Sequence, residues 1–208
     1  CLRIVHNNQR FSEDLDFDNF NLSEEDFQKV AAHIQKKLEQ SGYEVEMRNV
    51  FRGAFHCYIK FPGLLFQKGL SNFKEEKILI QLDTEAQGFD FQPQTHILNN
   101  FDILSEIFTT PQDILLAQKF LTIFQRKRHK GRDFFDITFL LGRTKPNYYF
   151  LNQKIGIADA DTLKFEVLEL CEQIDFEEMA KDVAPFLFNA KDLKRVLLFK
   201  SYMQQIEL

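Results

Sequence analysis

Two aspartates near the start of the chain have a spacing that could bind metal. Asp14 and Asp16 are separated by one apolar residue, and Phe17 follows them. On a strand, residues i and i+2 point to the same face, so both carboxylates would leave one side with their Cα atoms about 6.5–7 Å apart. Such carboxylates can share a pair of hard divalent cations, and two-metal sites serve phosphoryl and nucleotidyl transfer. The ordinary alternative for so short a motif is a solvated, Asp-rich loop.

The composition limits the classes of protein to which the chain can belong. Its 208 residues are 44% hydrophobic and 27% charged, as in a globular protein of one large or two small domains. The 24 Phe residues are spread through periodic segments and predict core packing. No apolar run is long enough for a transmembrane helix, and no signal peptide is visible. Three widely spaced cysteines do not make a disulfide framework or a zinc site, so we expect a reducing cytoplasm.

Charge is distributed unevenly along the chain. The net charge of -5 does not indicate nucleic-acid binding by the whole molecule. Acidic residues are concentrated at 13–26, whereas a basic run occupies 126–132. The basic run is either a solvated helix end, where cations are favoured, or a contact to the phosphates of an RNA acceptor. The five histidines are scattered, and we expect each to be a surface residue or a satisfied core residue.

The first half of the chain is predicted to be rich in strands. A short strand at 14–18 precedes a helix that Ser23 caps in the pattern S-x-x-D and that Ser41-Gly42 end. Alternation with a period of two then predicts a hairpin of 43–51 and 55–61, a buried strand at 77–84 and a further strand from Phe101 to Phe108, with loops at 64–75 and 85–100.

Helical periodicity replaces this alternation after Thr110. Thr110 is expected to cap the first helix, with Pro111 at its first position. The predicted helices run to about residue 127 and over 132–141, 162–173, 176–187 and 190–206, with an irregular segment at 147–160. The fold class is therefore α+β, with a strand-rich catalytic part at residues 1–108 and a helical part at residues 109–208.

Four segments, in this order and spacing, resemble the AbiEii-type abortive-infection toxins, a branch of the nucleotidyltransferase superfamily. The resemblance covers roughly residues 1–143, and the first and fourth segments are specific in combination. The segments are R-F-S-E-D-L-D-F-D at 10–18, I-L-I-Q-L-D-T at 78–84, A-Q-K-F-L-T-I-F-Q-R at 117–126 and K-G-R-D-F-F-D-I-T-F-L-L at 130–141.

The resemblance implies a fold, an activity and partners. The fold would be a polymerase-β-like nucleotidyltransferase domain with a mixed sheet, followed by a helical C-terminal region. Such a toxin would use Mg²⁺ to transfer a nucleoside monophosphate from an NTP to an acceptor hydroxyl, which we expect on tRNA. The sparse cysteines and the lack of a long apolar run separately predict a cytoplasmic protein with no membrane contact. Its co-encoded antitoxin would be a transcriptional regulator that need not touch the toxin.

The resemblance implies metal ligands at three acidic residues. Asp14 and Asp16 match the strand pair that holds Mg²⁺, and Asp83 is the candidate for the third ligand on a neighbouring strand. Gln81 shares the strand face of Asp83 and departs from the acidic residue common at its position, since a neutral amide is a poor Mg²⁺ ligand. The alternative for Asp83 is a turn residue at the end of its strand.

Further residues are implied in nucleotide binding. Arg10 and Ser12 match the lead-in R-x-S, and Arg10 would either hold a phosphate bidentately or, as we expect, support the aspartates. Lys119 matches a helix lysine that reaches the nucleotide, and its alternative is a solvated lysine. Arg132 and Asp136 belong to the R-D-x-x-D signature and stand at i and i+4, so one could orient the other. We expect Asp136, like Lys119, to be a catalytic residue, and its alternative is a buried capping role.

One superfamily motif has no counterpart at the expected place in the sequence. The glycine-rich turn that binds the triphosphate at a helix N-terminus would lie upstream of Arg10, so we expect the N-terminus to be truncated. Three rival functions stay open. They are a catalytically weak relative that binds nucleotide or RNA, which Gln81 favours, a metal-dependent phosphohydrolase that uses the same aspartates, and a purely structural domain.

Overall fold

The computed structural model describes residues 2–86, 88–100 and 102–208. Cys1, Gln87 and Phe101, which fall within features discussed above, lie outside the described residues. The chain divides into two compact units, Ser12–Phe89 and Cys1–Phe11 together with Asp90–Leu208. These units differ from the predicted division at 108/109, because the segment that follows Phe89 groups with the helices.

The unit Ser12–Phe89 is built on a four-stranded mixed sheet of strand order β1-β4-β3-β2. Strand β1 runs parallel to β4, whereas the β2–β3 and β3–β4 pairs are antiparallel. The strands are β1 (Leu15–Asp18), β2 (Glu46–Arg52), β3 (Ala54–Pro62) and β4 (Lys77–Glu85), and the helices are α1 (Glu24–Gln40) and the short α2 (Leu64–Gln67). The four strands predicted for this part of the chain are confirmed, although β1 begins at Leu15, which leaves Asp14 outside it. The loop predicted at 64–75 is wrong where α2 forms.

Helix α1 begins and ends where the sequence predicts. The Ser23 Oγ accepts a hydrogen bond from the Asp26 amide at 3.1 Å and donates one to the Asp26 carboxylate at 2.7 Å. This arrangement satisfies one of the free amides of the first turn. The helix ends at Ser41, and Gly42 follows with a φ of 85°, which favours glycine.

The pleat of the sheet separates an apolar face from a polar one. Phe27 and Ala31 of α1 pack against the apolar face, to which β3 and β4 contribute buried or half-buried side chains: Cys57, Ile59, Phe61, Ile78, Ile80 and Leu82. Successive strand residues alternate between faces, so Gln81 and Asp83 point to the other side. This confirms the prediction that Gln81 and Asp83 share a face.

The second unit combines a hairpin with seven helices among its described residues. The hairpin pairs β5 (Gln94–Asn100) with β6 (Ile103–Thr109). The helices are α3 (Gln112–Gln125), α4 (Gly131–Leu141), α5 (Tyr148–Ile155), α6 (Ala160–Cys171), α7 (Phe176–Val183), α8 (Lys194–Leu197) and α9 (Phe199–Gln205). Helix α4 packs against α3, α7 and α8, so it forms the centre of this unit.

Several predicted elements of this unit are wrong in position or type. Strand β5 lies in the segment that was predicted as a loop. The prediction failed because only His96 and Leu98 of this strand are half-buried, so its apolar alternation is weak. Helix α5 lies in the segment predicted as irregular, where Asn147 caps it by accepting from the Phe150 amide at 2.9 Å. Pro111, rather than Thr110, is the N-cap of α3.

The last two predicted helices are shorter than expected. The helix predicted over 176–187 ends at Val183, and a 3-10 turn that contains Pro185 follows. The helix predicted over 190–206 is divided into a 3-10 turn, α8 and α9. Within the described part of the chain, no helix is both long and apolar enough to cross a membrane.

Gly131, the first residue of α4, lies against the backbone of α7. Its amide donates to the Asp182 carboxylate at 2.9 Å, and a Cβ atom at this position would stand 1.9 Å from the Met179 carbonyl oxygen. We expect Gly131→Ala to lower the free energy of unfolding by about 3 kcal/mol, because α4 and α7 would have to separate. Urea denaturation can measure this loss. Gly142→Ala is the control, since its Cβ would be 3.7 Å from the nearest atom, and equal effects of both substitutions would contradict the prediction.

His6 contradicts the expectation that every histidine is exposed or satisfied. Its side chain is 6% exposed, and Nε2 has no hydrogen-bond partner among the described residues. Gln112 Nε2 lies 3.2 Å from Nδ1, and the ring of His96 meets that of His6 edge-on at 5.6 Å between centroids. Burial, followed by the charges of His96 and Arg143, lowers the pKa of His6 to about 4.

This lowered pKa predicts acid sensitivity. Between about pH 6.5 and pH 4 the unfolded chain binds a proton at His6 that the folded chain excludes, so stability falls as the pH falls through this window. The loss approaches about 3 kcal/mol at its acid end, at about 1.4 kcal/mol per pKa unit. Urea unfolding at pH 7 and pH 4.5 measures the loss, and His6→Asn should remove most of the difference. The same pH slope in both proteins would refute this account.

Candidate functional site

The polar face of the four-stranded sheet gathers carboxylates from β1 and β4. The parallel register places Asp16 opposite Asp83 and Asp18 opposite Glu85. Like charges directly opposite each other on neighbouring strands are destabilising. Asp16 thus lies on a strand rather than in a solvated loop, and its role as a metal ligand stays a prediction.

Asp83 is held by two neighbours on the same face. His56, its partner on β3, places Nδ1 2.7 Å from the Asp83 Oδ1. The Gln81 amide nitrogen donates to both carboxylate oxygens, at 3.0 and 2.8 Å. Asp83 lies inside β4 rather than at its end. The alternative of a turn residue is therefore wrong, and Gln81 orients the carboxylate.

Asp14 and Ser12 lie immediately before β1. Asp14 occupies a bend and is half-buried, whereas Asp16 is exposed. The Ser12 Oγ donates to the Asp14 carbonyl oxygen at 3.3 Å. Ser12 thus contacts the backbone of the segment that carries the aspartates, and its predicted role in nucleotide binding stays a prediction.

The donor set of this face suits a hard cation. Mg²⁺ takes one or two protein carboxylates and completes its shell with water and substrate phosphates. Asp83 keeps acceptor capacity beyond its bonds to Gln81 and His56, because a carboxylate offers about four lone-pair sites. Over residues 2–86, 88–100 and 102–208, no three His, Cys, Asp or Glu side chains form a cluster that could hold a metal ion. The oxygen donors of Asp14, Asp16 and Asp83 are of the kind that Mg²⁺ prefers, and this ligand set stays a prediction.

A second polar cluster is buried in the helical unit, around Asp136 of α4. Asp136 is fully buried, and Arg10 binds it bidentately, with Nε 2.7 Å from Oδ1 and an Nη 2.6 Å from Oδ2. The Asn8 side-chain amide donates to Oδ1 at 2.8 Å. Arg10 also donates to the Phe11 carbonyl oxygen at 2.7 Å. Both terminal oxygens of Asp136 therefore serve an ion pair, and the helix-capping alternative is wrong.

Lys119 of α3 joins this cluster. Its Nζ lies 3.0 Å from the Asp136 Oδ2 and 3.3 Å from the Asp133 Oδ1, and Arg126 binds the other oxygen of Asp133 at 2.7 Å. The Lys119 side chain is 27% exposed, so it is not the solvated lysine of the alternative interpretation. Three cations and two carboxylates meet here.

The ion pairs keep the members of this cluster charged. Burial alone would lower the pKa of Lys119, but the carboxylates of Asp136 and Asp133 outweigh it and raise that pKa. Burial would raise the pKa of Asp136, but Lys119 and Arg10 outweigh it and lower that pKa. The raised pKa favours the charged form of Lys119, which suits a group that binds phosphate.

The basic run 126–132 divides into engaged and exposed residues. Arg126 binds Asp133, and Lys130 lies 3.6 Å from Asp182 of α7. Lys127 and Arg128 are exposed, and Arg132 is half-buried in the first turn of α4. Arg10 and Lys119 form ion pairs with Asp136. The prediction that Arg132 orients Asp136 stays a prediction.

Sequence reasoning missed His56, Asn8 and Arg126 as members of these two clusters. His56 could have been noticed because it alternates with Tyr58 and Lys60 on a strand, but its partner depends on the register of β3 against β4. Asn8 and Asp136 are 128 positions apart, so no local pattern links them. Arg126 was noticed only as part of a basic run.

Comparisons with known proteins agree with this architecture. The family described as "Nucleotidyl transferase AbiEii toxin, Type IV TA system" matches residues 1–194, which confirms the resemblance found in the four segments. A crystal structure of JHP933 from Helicobacter pylori has a similar fold, with a TM-score of 0.55 and 14% identity over 98% of this chain and 78% of that chain. The comparison with curated proteins gave no match. The chain therefore belongs to the AbiEii toxin family, whose members are nucleotidyltransferase toxins of type IV toxin–antitoxin systems with a nucleotide substrate and an antitoxin partner.

Proposed function

We propose that this chain is a Mg²⁺-dependent nucleotidyltransferase with a polymerase-β-like catalytic domain. It transfers a nucleoside monophosphate from an NTP to a hydroxyl group of RNA, and tRNA is the expected acceptor. The observation that carries the proposal is the position of Asp16 directly opposite Asp83 on neighbouring parallel strands. A pair of carboxylates in this register attracts a divalent cation and repels an anionic nucleotide that arrives without one.

The aspartates would hold the metal. Asp14, Asp16 and Asp83 supply the hard oxygen donors, while His56 and Gln81 hold the Asp83 carboxylate in place. When bound, the ions neutralise charge on the phosphates and favour ionisation of the acceptor hydroxyl. The chain fixes the Asp83 oxygens before substrate arrives, which limits reorganisation at this ligand during the reaction.

Lys119 would bind the phosphates of the nucleotide. Its side chain is partly exposed, and Arg126 shares the charge of Asp133 with it. Asp136 and Asp133 fix the ammonium group by ion pairs, so little side-chain entropy remains to be lost when a phosphate binds. Arg10 supports this arrangement through Asp136, which assigns it a positioning role rather than a direct phosphate contact.

A labelling experiment tests the proposal. The full chain is incubated with Mg²⁺, each α-³²P-labelled NTP in turn and a total tRNA pool, and the products are separated on a denaturing gel. Asp14→Asn/Asp16→Asn is the variant expected to be inactive. Glu44 is an exposed loop residue of the same unit, so Glu44→Gln is the control for loss of one negative charge. We expect label in RNA with the wild type and with Glu44→Gln only.

The other outcomes identify the rival functions. Labelled monophosphate released without labelled RNA would indicate a phosphohydrolase on the same aspartates. Binding of NTP or RNA by a folded protein without any turnover would indicate a catalytically weak relative. Label that enters RNA equally with the Asp14→Asn/Asp16→Asn variant would refute the role of the aspartates.

A further inference from the structure

The polar face of the four-stranded sheet extends beyond the carboxylates. In the register of the strands, Asp16 and Asp83 share a row with His56, and the next row holds Gln81, Tyr58 and Arg48. The row after that places Lys60 opposite Glu46. All of these side chains belong to the face opposite α1, so the site at the aspartates continues directly into β3 and β2.

This face has an acidic side and a basic side. The acidic side consists of the carboxylates on β1 and on the last residues of β4, whereas the basic side consists of Arg48 on β2, Lys60 on β3 and Lys77 at the start of β4. Glu46 is the carboxylate nearest them, and Lys77 already binds both of its oxygens at 2.8 Å. Arg48 and Lys60 are exposed and have no hydrogen-bond or ion-pair partner among the described residues. The basic side therefore carries two surplus positive charges.

An aromatic pair lies between the two sides. The rings of His56 and Tyr58 are stacked, with centroids 6.3 Å apart and an angle of 29° between their planes. His56 is fixed at its other end by Asp83. Tyr58 is half-buried, and no polar partner among the described residues engages its hydroxyl. A partly exposed ring that a neighbouring ring supports offers a stacking surface for a nucleobase.

We infer that Arg48, Tyr58 and Lys60 form the binding surface for the single-stranded end of the acceptor RNA. The inference rests on the proposed function and names the part of the chain that holds its acceptor. Arg48 and Lys60 would bind backbone phosphates, and Tyr58 would stack on a base. Adjacent strands lie about 4.8 Å apart, so β2 and β1 span roughly 14 Å, about the length of two nucleotides of an extended strand. The terminal hydroxyl would then reach the carboxylates at the acidic side.

Charge complementarity selects this occupant. An RNA strand offers regularly spaced phosphates to the cations, bases to the aromatic ring and a terminal hydroxyl to the metal site. An acidic peptide would match the cations but leave the stacking surface without a function. From β2 through β3 to β4 and β1, Arg48, Tyr58 and the carboxylates follow one another in the order of a phosphate, a base and a terminal hydroxyl at an RNA 3′ end, with Lys60 beside Tyr58 on β3.

Binding of a fluorescein-labelled, single-stranded 12-nucleotide RNA of mixed sequence tests the inference. Anisotropy is measured with the full chain in Mg²⁺ and without NTP, so that no transfer can occur. Arg48→Gln/Lys60→Gln should weaken binding about tenfold. It should also reduce the slope of log K against log salt by about 1.4, at about 0.7 per lost phosphate contact on single strands. Tyr58→Ala should weaken binding about tenfold and Tyr58→Phe hardly at all, since stacking needs the ring and not the hydroxyl.

The control removes the same charge from the other side of the sheet. Lys36 and Lys37 are exposed on α1, and Lys36→Gln/Lys37→Gln should keep the wild-type affinity within twofold and the wild-type salt slope. Equal affinities of the two double variants would overturn the inference. Loss of NTP affinity instead of RNA affinity in Arg48→Gln/Lys60→Gln, measured by calorimetry, would also overturn it by assigning the face to the nucleotide. None of these readouts depends on turnover, so a failure of the labelling experiment is distinguished from a failure here.

Discussion

Replacing Asp16 with Asn is expected to abolish nucleotide transfer and, without metal, to make the protein more stable. The loss of activity should be on the order of 10³-fold, because metal ions supply several kcal/mol of charge stabilisation. The gain in stability follows from the register, since Asp16 faces Asp83 directly. Removing one charge from a repelling cross-strand pair is worth roughly 0.2–1 kcal/mol.

The sign of the stability change should depend on Mg²⁺. In EDTA, thermal unfolding of Asp16→Asn should occur above that of the wild type. In excess Mg²⁺ the wild type gains stability by binding the ion in its folded state only, so the order should reverse. Glu44→Gln provides the baseline for losing one negative charge at an exposed position. A wild-type melting temperature that Mg²⁺ does not change would contradict the metal site itself.

Replacing Asp136 with Ala is expected to lower the free energy of unfolding by about 3–5 kcal/mol. The substitution leaves the buried guanidinium of Arg10 without its carboxylate and takes one of two anionic partners from Lys119. Removing one partner of a buried ion pair destabilises a protein more than replacing both partners with apolar residues, because the remaining charge keeps its desolvation cost. Urea denaturation measures the loss. Arg10→Met/Asp136→Leu should recover most of it, since both charges are then absent.

The same ion pair predicts a response to acid. The folded pKa of Asp136 is lowered, so its contribution is fully present above the unfolded value of about 3.9 and is lost as the pH falls through the folded value. The double variant should lack this loss, whereas the loss at His6 occurs at higher pH and should persist in it. A single variant Asp136→Ala that unfolds within 1 kcal/mol of the wild type would show that the cluster does not stabilise the fold, against the usual 3–5 kcal/mol.

Periodicity predicted the elements that have one clearly apolar face. Helix α1 and strand β4 carry such patterns, and Ser23 and Gly42 mark the helix ends by local chemistry that a sequence displays directly. Strand β5 was missed because a two-stranded hairpin with mostly exposed side chains needs no apolar alternation. Helix α5 was missed because it is only eight residues long, which gives periodicity barely two turns to show.

The candidate site was predicted as residue types rather than as contacts. Asp14 and Asp16 could be chosen from spacing, and Asp83 could be placed on a face, but which residue stands beside Asp83 depends on strand register. Gln81 was interpreted as a weakened metal ligand, whereas its amide orients Asp83. A lone substitution in a motif does not reveal whether the new side chain has lost a role or gained one.

Arg10 illustrates the same limit in the helical unit. The sequence places it in the lead-in to the aspartates, which favoured a role close to them. The structure pairs its guanidinium with Asp136, 126 positions away. Long-range ion pairs of this kind follow from tertiary packing, and no local pattern in a single sequence specifies them.

Helix α4 has a consequence for the genetics of the toxin. Nine of its eleven residues are buried, and the same helix carries Asp133 and Asp136. In a selection for cells that survive toxin expression, substitutions in α4 should therefore be recovered often, but most of them should remove the protein from the cell by misfolding and proteolysis. Substitutions at Asp16, on the exposed face of β1, should instead accumulate as full-length, inactive protein. The amount of toxin left in each survivor thus separates the residues that build the fold from those that perform the reaction.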